Sequence, residues 1–204
     1  MVAIVDYGVG NLFSLKSSLD FLGVESVVTA DKGVLKAADK IILPGVGAFG
    51  DAAKKLRESG LADFIKDEAK SGKALLGICL GMQLLFEKSF EYGQHEGLGL
   101  ISGEIRPISE VIPADLKIPH IGWNALDFTK QSPLFKYIND GDHVYFVHSF
   151  YAANCEDSVI ANSEYGAPLT AAVAKGNVFG CQFHPEKSGK VGLNILRAFC
   201  EKEI

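Results

Sequence analysis

Ala74-Leu75-Leu76-Gly77-Ile78-Cys79-Leu80-Gly81-Met82-Gln83-Leu84-Leu85-Phe86 is the stretch that decides the fold. An apolar run long enough for a buried strand passes into an apolar-periodic helix with almost no loop between. Cys79 stands at the join, with one glycine two residues before it and another two residues after it. This is the cysteine form of the G-x-S-x-G nucleophile elbow. Gly77 and Gly81 answer the close approach of strand and helix that so sharp a turn demands. The turn pushes the backbone of Cys79 into a sparsely populated conformation and lifts its side chain above the sheet. The thiol then sits at the start of the following helix, which favours thiolate over thiol. The same residues also fit a buried structural cysteine at a tight turn, since free cysteine is among the most buried residue types.

Upstream of the elbow, strands and helices alternate. Val2 to Val5 is a short β-branched run bounded by Asp6 and Gly8, the pattern of a buried first strand. Asn11 stands as a helix N-cap before Leu12, Leu15, Leu19 and Leu22, and Gly23 stops that helix. Gly8-Val9-Gly10 lacks the third glycine of a dinucleotide-binding loop. Ser26 to Thr29 and Lys40 to Leu43 read as the second and third strands. Pro44-Gly45-Val46-Gly47-Ala48-Phe49-Gly50 follows the third strand directly, and the carboxyl end of a strand is where open α/β sheets bind ligands. Two amphipathic helices, 51–58 and 61–71, lead to a fourth strand opened by Lys73 and ending in the elbow.

Beyond Phe86 the rhythm changes. Residues 91–97 read as a polar loop in which His95 is solvated and has no role. Shorter strands follow at 100–107, 118–128, 143–153, 158–162, 169–174 and 178–183, with a hairpin turn at Gly176-Asn177. A closing helix spans 188–201. The expected fold is α/β: a single domain over residues 1–204, with an open, mixed, mainly parallel central sheet flanked by helices and hairpins added in the C-terminal half.

Composition excludes several classes. Apolar residues are 48% and charged residues 22%, an ordinary globular balance, and the net charge of −5 with no basic run gives no case for nucleic acid. Cysteines at 79, 155, 181 and 200 form no C-x-x-C, and no histidines pair with them at ligand spacing, which argues against metal and against a disulfide framework. A reduced cytoplasmic setting is the simplest expectation. The first residues carry no basic segment of a signal peptide, and no apolar stretch is long enough to span a membrane.

A cysteine nucleophile needs a base, and the base needs an orienting acceptor. Histidines stand at 95, 120, 143, 148 and 184. His184-Pro185-Glu186 singles out one of them. Two residues apart on extended backbone, His184 and Glu186 project to one side, and Pro185 holds His184 out of helix. A carboxylate beside an imidazole fixes its tautomer. A surface His and Glu at a strand end would read the same way in isolation.

Gly77-Ile78-Cys79-Leu80-Gly81-Met82-Gln83 together with His184-Pro185-Glu186 resembles the triad (class I) glutamine amidotransferases, a flavodoxin-like fold, and Pro44-Gly45-Val46-Gly47 is similar to their oxyanion loop. The resemblance covers the full chain. Asp6-Tyr7-Gly8-Val9-Gly10-Asn11-Leu12, His120-Ile121-Gly122-Trp123-Asn124, Tyr145-Phe146-Val147-His148-Ser149-Phe150 and His184-Pro185-Glu186-Lys187-Ser188 resemble one branch of the family, the glutaminase subunits of imidazole glycerol phosphate synthases. Other branches more usually carry Pro-Gly-Gly in the oxyanion loop. Val46 at that position implies a loop that rearranges when the partner is loaded.

The resemblance implies glutamine as substrate, a Cys79-His184-Glu186 triad, and no cofactor or metal. It implies an oxyanion site from the N–H of Leu80 and from Val46 or Gly47. Gly45, Gln83, His148, Ser149 and Phe150 would contact glutamine. The implied partner is a cyclase subunit with a (βα)8 barrel, forming a heterodimer and receiving ammonia. Asn11, Trp123, Asn124, Tyr145 and Lys187 would face it, although Trp123 also fits a core position. An amidotransferase of another pathway, or a cysteine peptidase on a similar fold, is an alternative enzyme. A non-catalytic binding module would be expected to lack one triad member.

Overall fold

The computed structural model describes residues 1–201, so the last three residues of the expected domain lie outside the described residues. The first half runs β1 (Val2–Val5), α1 (Leu12–Phe21), β2 (Ser26–Thr29), α2 (Lys32–Ala37), β3 (Lys40–Leu43), α3 (Phe49–Glu58), α4 (Leu61–Lys70), β4 (Ala74–Ile78) and α5 (Leu80–Leu84). The second half runs β5 (Lys88–Ser89), β6 (His95–Glu96), β7 (Glu104–Pro107), β8 (His120–Ala125), β9 (Asp127–Phe128), β10 (His143–His148), β11 (Phe150–Ala153), β12 (Val159–Glu164), β13 (Pro168–Lys175), β14 (Val178–Cys181) and α6 (Gly189–Cys200).

The central sheet has the order β2-β1-β3-β4-β14-β13-β12-β9. Its first five strands are parallel and the rest antiparallel. β1, β3, β4 and β14 are buried along their whole length, which explains why they read as continuous apolar runs. One face of the sheet packs on α3 and α4 through Phe49, Leu56, Leu61 and Ile65. The other packs on α1 and α6 through Leu15, Leu19, Ile195 and Phe199. Two small sheets complete the molecule, β10-β8 and β11-β7-β5-β6.

Several expectations are corrected. The elbow helix ends at Leu84, two residues before Phe86, where the N–H groups of Leu98 and Leu100 take the carbonyls of Leu84 and Leu85. It is too short for a strong dipole. α2 is a helix the periodicity did not announce; Asp31 caps it by accepting from Val34 N at 2.9 Å. Asn11 makes no capping bond to α1. Strand 100–107 shrinks to β7, and 118–128 divides into β8 and β9. The stretch 143–153 breaks at Ser149, because β10 pairs with β8 whereas β11 pairs with β7 in another sheet. His95 belongs to β6 and is half-buried; its ring lies so close to Gly50 that a Cβ there would come within 2.8 Å of it.

Candidate active site

The elbow forms because nothing but hydrogen fits at its glycines. A Cβ on Gly77 would lie 2.6 Å from the Gly81 carbonyl oxygen, and one on Gly81 would lie 1.9 Å from that of Leu43. Between them Cys79 takes φ 54° and ψ −114°, a backbone that L-residues rarely adopt. Its own N–H donates to Cys181 O on β14 at 2.7 Å, which ties the strained residue to the next strand.

His184 follows β14 and is fixed through its backbone. Its N–H donates to Tyr145 O at 3.0 Å, and Ser188 Oγ donates to its carbonyl at 2.6 Å. The ring's Nδ1 lies 2.8 Å from Glu186 Oε1, and both side chains are buried. Burial works against a charged ring. The hydrogen bonds and negative charges of Cys79 and Glu186 outweigh it and raise His184 to about 9. Asn11 Nδ2 donates to the same Glu186 oxygen at 3.4 Å. The residue expected to cap α1 therefore supports the carboxylate beside His184.

A cleft of about 310 Å³ opens over the sulfur. Val46, Gly47, Cys79, Leu80, Gln83, His148, Ser149, Phe150 and His184 all line it, joined by Glu91, Tyr92, Pro119 and Val147. Leu80 is the first residue of α5, so its N–H has no acceptor within the helix. Gly45 is buried behind the cleft: a Cβ there would come within 2.7 Å of Gly81 N. Tyr7 closes this corner by donating to Pro44 O at 2.8 Å, and burial together with the Cys79 charge holds its phenol protonated, well above the ordinary range.

His148 is buried, with a close polar neighbour at each ring nitrogen. Nδ1 donates to Phe150 O at 2.8 Å, and Nε2 lies 3.1 Å from Nδ1 of His120. His120 Nε2 donates to Asn124 Oδ1 at 3.0 Å, and Asn124 Nδ2 to Glu164 O at 2.8 Å. Two neutral rings spend their only N–H groups on the outer bonds, which leaves the contact between them without a hydrogen. Burial lowers His148 to about 4, against the pull of its bond to Phe150 and with the help of His120 and His184. It is therefore neutral near pH 7 and only weakly basic.

Of the expected docking residues, three meet on the surface. Trp123 and Tyr145 are cross-strand partners with ring centroids 6.1 Å apart, and Lys187 Nζ lies 5.9 Å from the Tyr145 ring. Trp123 is 52% exposed, which removes its core reading. Asn124 instead points into the histidine network.

Sequence reasoning missed Tyr7 and Gln182. Gln182 is fully buried, with Nε2 3.8 Å from Cys79 Sγ. Its one signal was an amide inside the apolar run around Cys181 and Phe183.

The family model described as "Glutamine amidotransferase class-I" matches residues 3–202. A protein of Oceanobacillus iheyensis named imidazole glycerol phosphate synthase subunit HisH is 49% identical over 202 residues, covering 98% of each chain. A protein of the same name from Caldanaerobacter subterraneus subsp. tengcongensis is 50% identical over the same length, again with 98% coverage of both. Among solved structures, a glutamine amidotransferase is similar with a TM-score of 0.75 at 23% identity, covering 98% of this chain and 97% of the other. A chain of PurLQS from Thermotoga maritima gives 0.76 at 24%, with 97% and 96% covered. The strained cysteine, its histidine–glutamate pair and a family match over almost the whole length agree: the chain belongs to the class-I glutamine amidotransferases.

Proposed function

We infer that the chain is the glutaminase subunit of an imidazole glycerol phosphate synthase. It hydrolyses glutamine and passes ammonia to a cyclase subunit in histidine biosynthesis. The observation that carries the chemistry is Cys79 in its left-handed elbow, opening on the same cleft as a His184 held at 2.8 Å by Glu186. Relatives about half identical along their full length support the branch.

The Cys79 thiolate adds to the side-chain amide carbon of glutamine. The Leu80 N–H, with one from Val46 or Gly47, receives the oxyanion; loss of one such donor costs roughly 100- to 1,000-fold. Protonated His184 gives its proton to the departing nitrogen, and ammonia leaves. Water then attacks the γ-glutamyl thioester, His184 takes its proton, and the tetrahedral adduct collapses to glutamate and Cys79 thiolate. Glu186 holds the ring in register through Nδ1. Gly45, Gln83, His148, Ser149 and Phe150 shape the glutamine pocket.

The whole chain acts as one domain. Its partner is a cyclase with a (βα)8 barrel, in a heterodimer, docked on Trp123, Tyr145 and Lys187 with Asn11 and Asn124 behind them. Aromatic rings and a cationic anchor suit such an interface. No helix among the described residues is long and apolar enough to cross a membrane, in keeping with a cytoplasmic enzyme. Glutaminase activity measured with and without the cyclase subunit and its acceptor tests the reading. The lone chain is expected to be slow and the loaded complex fast. Equal rates would count against a partner-dependent oxyanion loop.

A further inference from the structure

We propose that Gln182 is a positioning residue for the nucleophile, donating a hydrogen bond from its amide to Cys79 Sγ in an orientation locked by Gln83 and the Phe150 carbonyl. The proposal rests on Cys79 being the nucleophile of the reaction above.

The orientation follows from what each group can do. Phe150 O is an acceptor only, and Gln83 Nε2 lies 3.3 Å from it. The nitrogen end of the Gln83 amide therefore faces Phe150. The same nitrogen meets Gln182 Oε1 at 3.0 Å. An amide whose oxygen is spent on Gln83 must turn its nitrogen the other way, and there Nε2 finds Cys79 Sγ at 3.8 Å. Turning Gln182 over would set two N–H groups against each other and a carbonyl oxygen against the sulfur. The chain Phe150 O, Gln83, Gln182, Sγ thus has one sense.

The location adds weight. Gln182 is 0% exposed and its backbone is pinned by donation to Ala171 O at 2.8 Å. Burying a primary amide beside Gln83 and Cys79 is costly unless its groups are bonded. A donor aimed at sulfur stabilises thiolate over thiol and restricts where the sulfur sits. Gln83 lines the cleft whereas Gln182 does not, so Gln182 acts on the sulfur from behind. One cleft amide thereby orients the group that holds the nucleophile.

The test is the pH dependence of Cys79 alkylation by iodoacetamide in the full-length chain, with the modified residue identified by mass spectrometry. Gln182→Met keeps the bulk and removes the donor. It is expected to move the midpoint of alkylation to higher pH and to slow alkylation at pH 7 about tenfold, the scale of one hydrogen bond to a charged group. Gln182→Leu removes donor and acceptor together; its midpoint is expected to rise as well. A folded variant of either kind whose midpoint equals that of the wild type overturns the proposal, since a merely space-filling amide would lower the melting temperature and leave the midpoint alone. If Gln182→Met does not fold, Gln182→Leu decides alone. Failure of the parent reading looks different: a wild-type complex without Cys79-dependent glutaminase, whatever the alkylation profile.

Discussion

Two loops face each other across the cleft, and they are built on opposite terms. At the elbow every added atom collides with backbone: a Cβ on Gly81 would reach within 1.9 Å of Leu43 O, one on Gly77 within 2.6 Å of Gly81 O. In the oxyanion loop, a Cβ on Gly47 would meet nothing within 4 Å, and Val46 is 39% exposed. The nucleophile is held by packing that has no second arrangement. In the facing loop only the tip at Val46 and Gly47 is open; its base is held by Tyr7 on the Pro44 carbonyl, by Gly45 packed on Gly81, and by Phe49 N donating to the Glu91 carboxylate. On the function proposed above, that division lets the fixed half be ready while the open tip decides when ammonia is released.

The largest expected effect isolates the fixed half. Cys79→Ala removes the nucleophile, and glutamine-dependent synthesis in the complex should fall by at least about 10⁴-fold. Synthesis from added ammonium salts should persist, because the proposed function puts the acceptor site on the cyclase subunit. Loss of both activities would sink the ammonia-donor assignment.

Gly81→Ala asks whether the elbow is as tightly packed as its distances say. Forcing a methyl group against the Leu43 carbonyl should cost about 4 kcal/mol, the upper range for single substitutions. That corresponds to roughly 10 °C of melting temperature in a domain of this size. Calorimetry that found the variant within about 2 °C of wild type, a shift too small for a backbone clash, would show that the strand–helix junction has slack.

How much of this was legible in the sequence differs between the same two halves. Buried strands such as β1 and β4 announce themselves as apolar runs because both their faces are buried, and the elbow glycines because their spacing is local. What failed were features decided at long range. α5 ends where Leu98 and Leu100 bond back to it, and no local signal marks that end. The break at Ser149 reflects two strands choosing different sheets. His120 and His148 meet only through the antiparallel register of β8 and β10, so a polar pair hid in two separate strands. Gln182 looked like a stray amide because its partners, Gln83 and Cys79, lie some hundred positions away.

Titration probes the histidines on either side of the cleft, and their signs oppose. An unfolded imidazole titrates near 6.5. His184 stands above that at about 9, so its ionic cluster stabilises the fold fully below about pH 6.5 and is lost as pH rises through 9. His148 stands below it at about 4, so its contribution is present above about pH 6.5 and is lost as pH falls toward 4. Melting temperature followed against pH should show His184→Gln flattening the alkaline slope and His148→Gln flattening the acid one. An alkaline slope unchanged by His184→Gln would mean that Cys79 and Glu186 do not hold a charged ring.

The smallest effect on stability should come from Gly47→Ala, and it bears most directly on the loose half. Gly47 has φ +93°, so alanine strains the backbone without meeting a neighbour. The cost should be about 1–2 kcal/mol, well below that of Gly81→Ala. The strain falls on the loop's own backbone, because the added methyl group meets no neighbour. If the resting conformation of the loop differs from the one that receives the oxyanion, the alanine removes part of the bias toward rest. The lone subunit should then hydrolyse glutamine faster, and the ratio between complex and lone chain should narrow. If both conformations need the same left-handed backbone, the two rates fall together and the ratio stays put. Measured beside Gly81→Ala, the same added methyl group thus separates a loop that carries the fold from a loop that carries the timing.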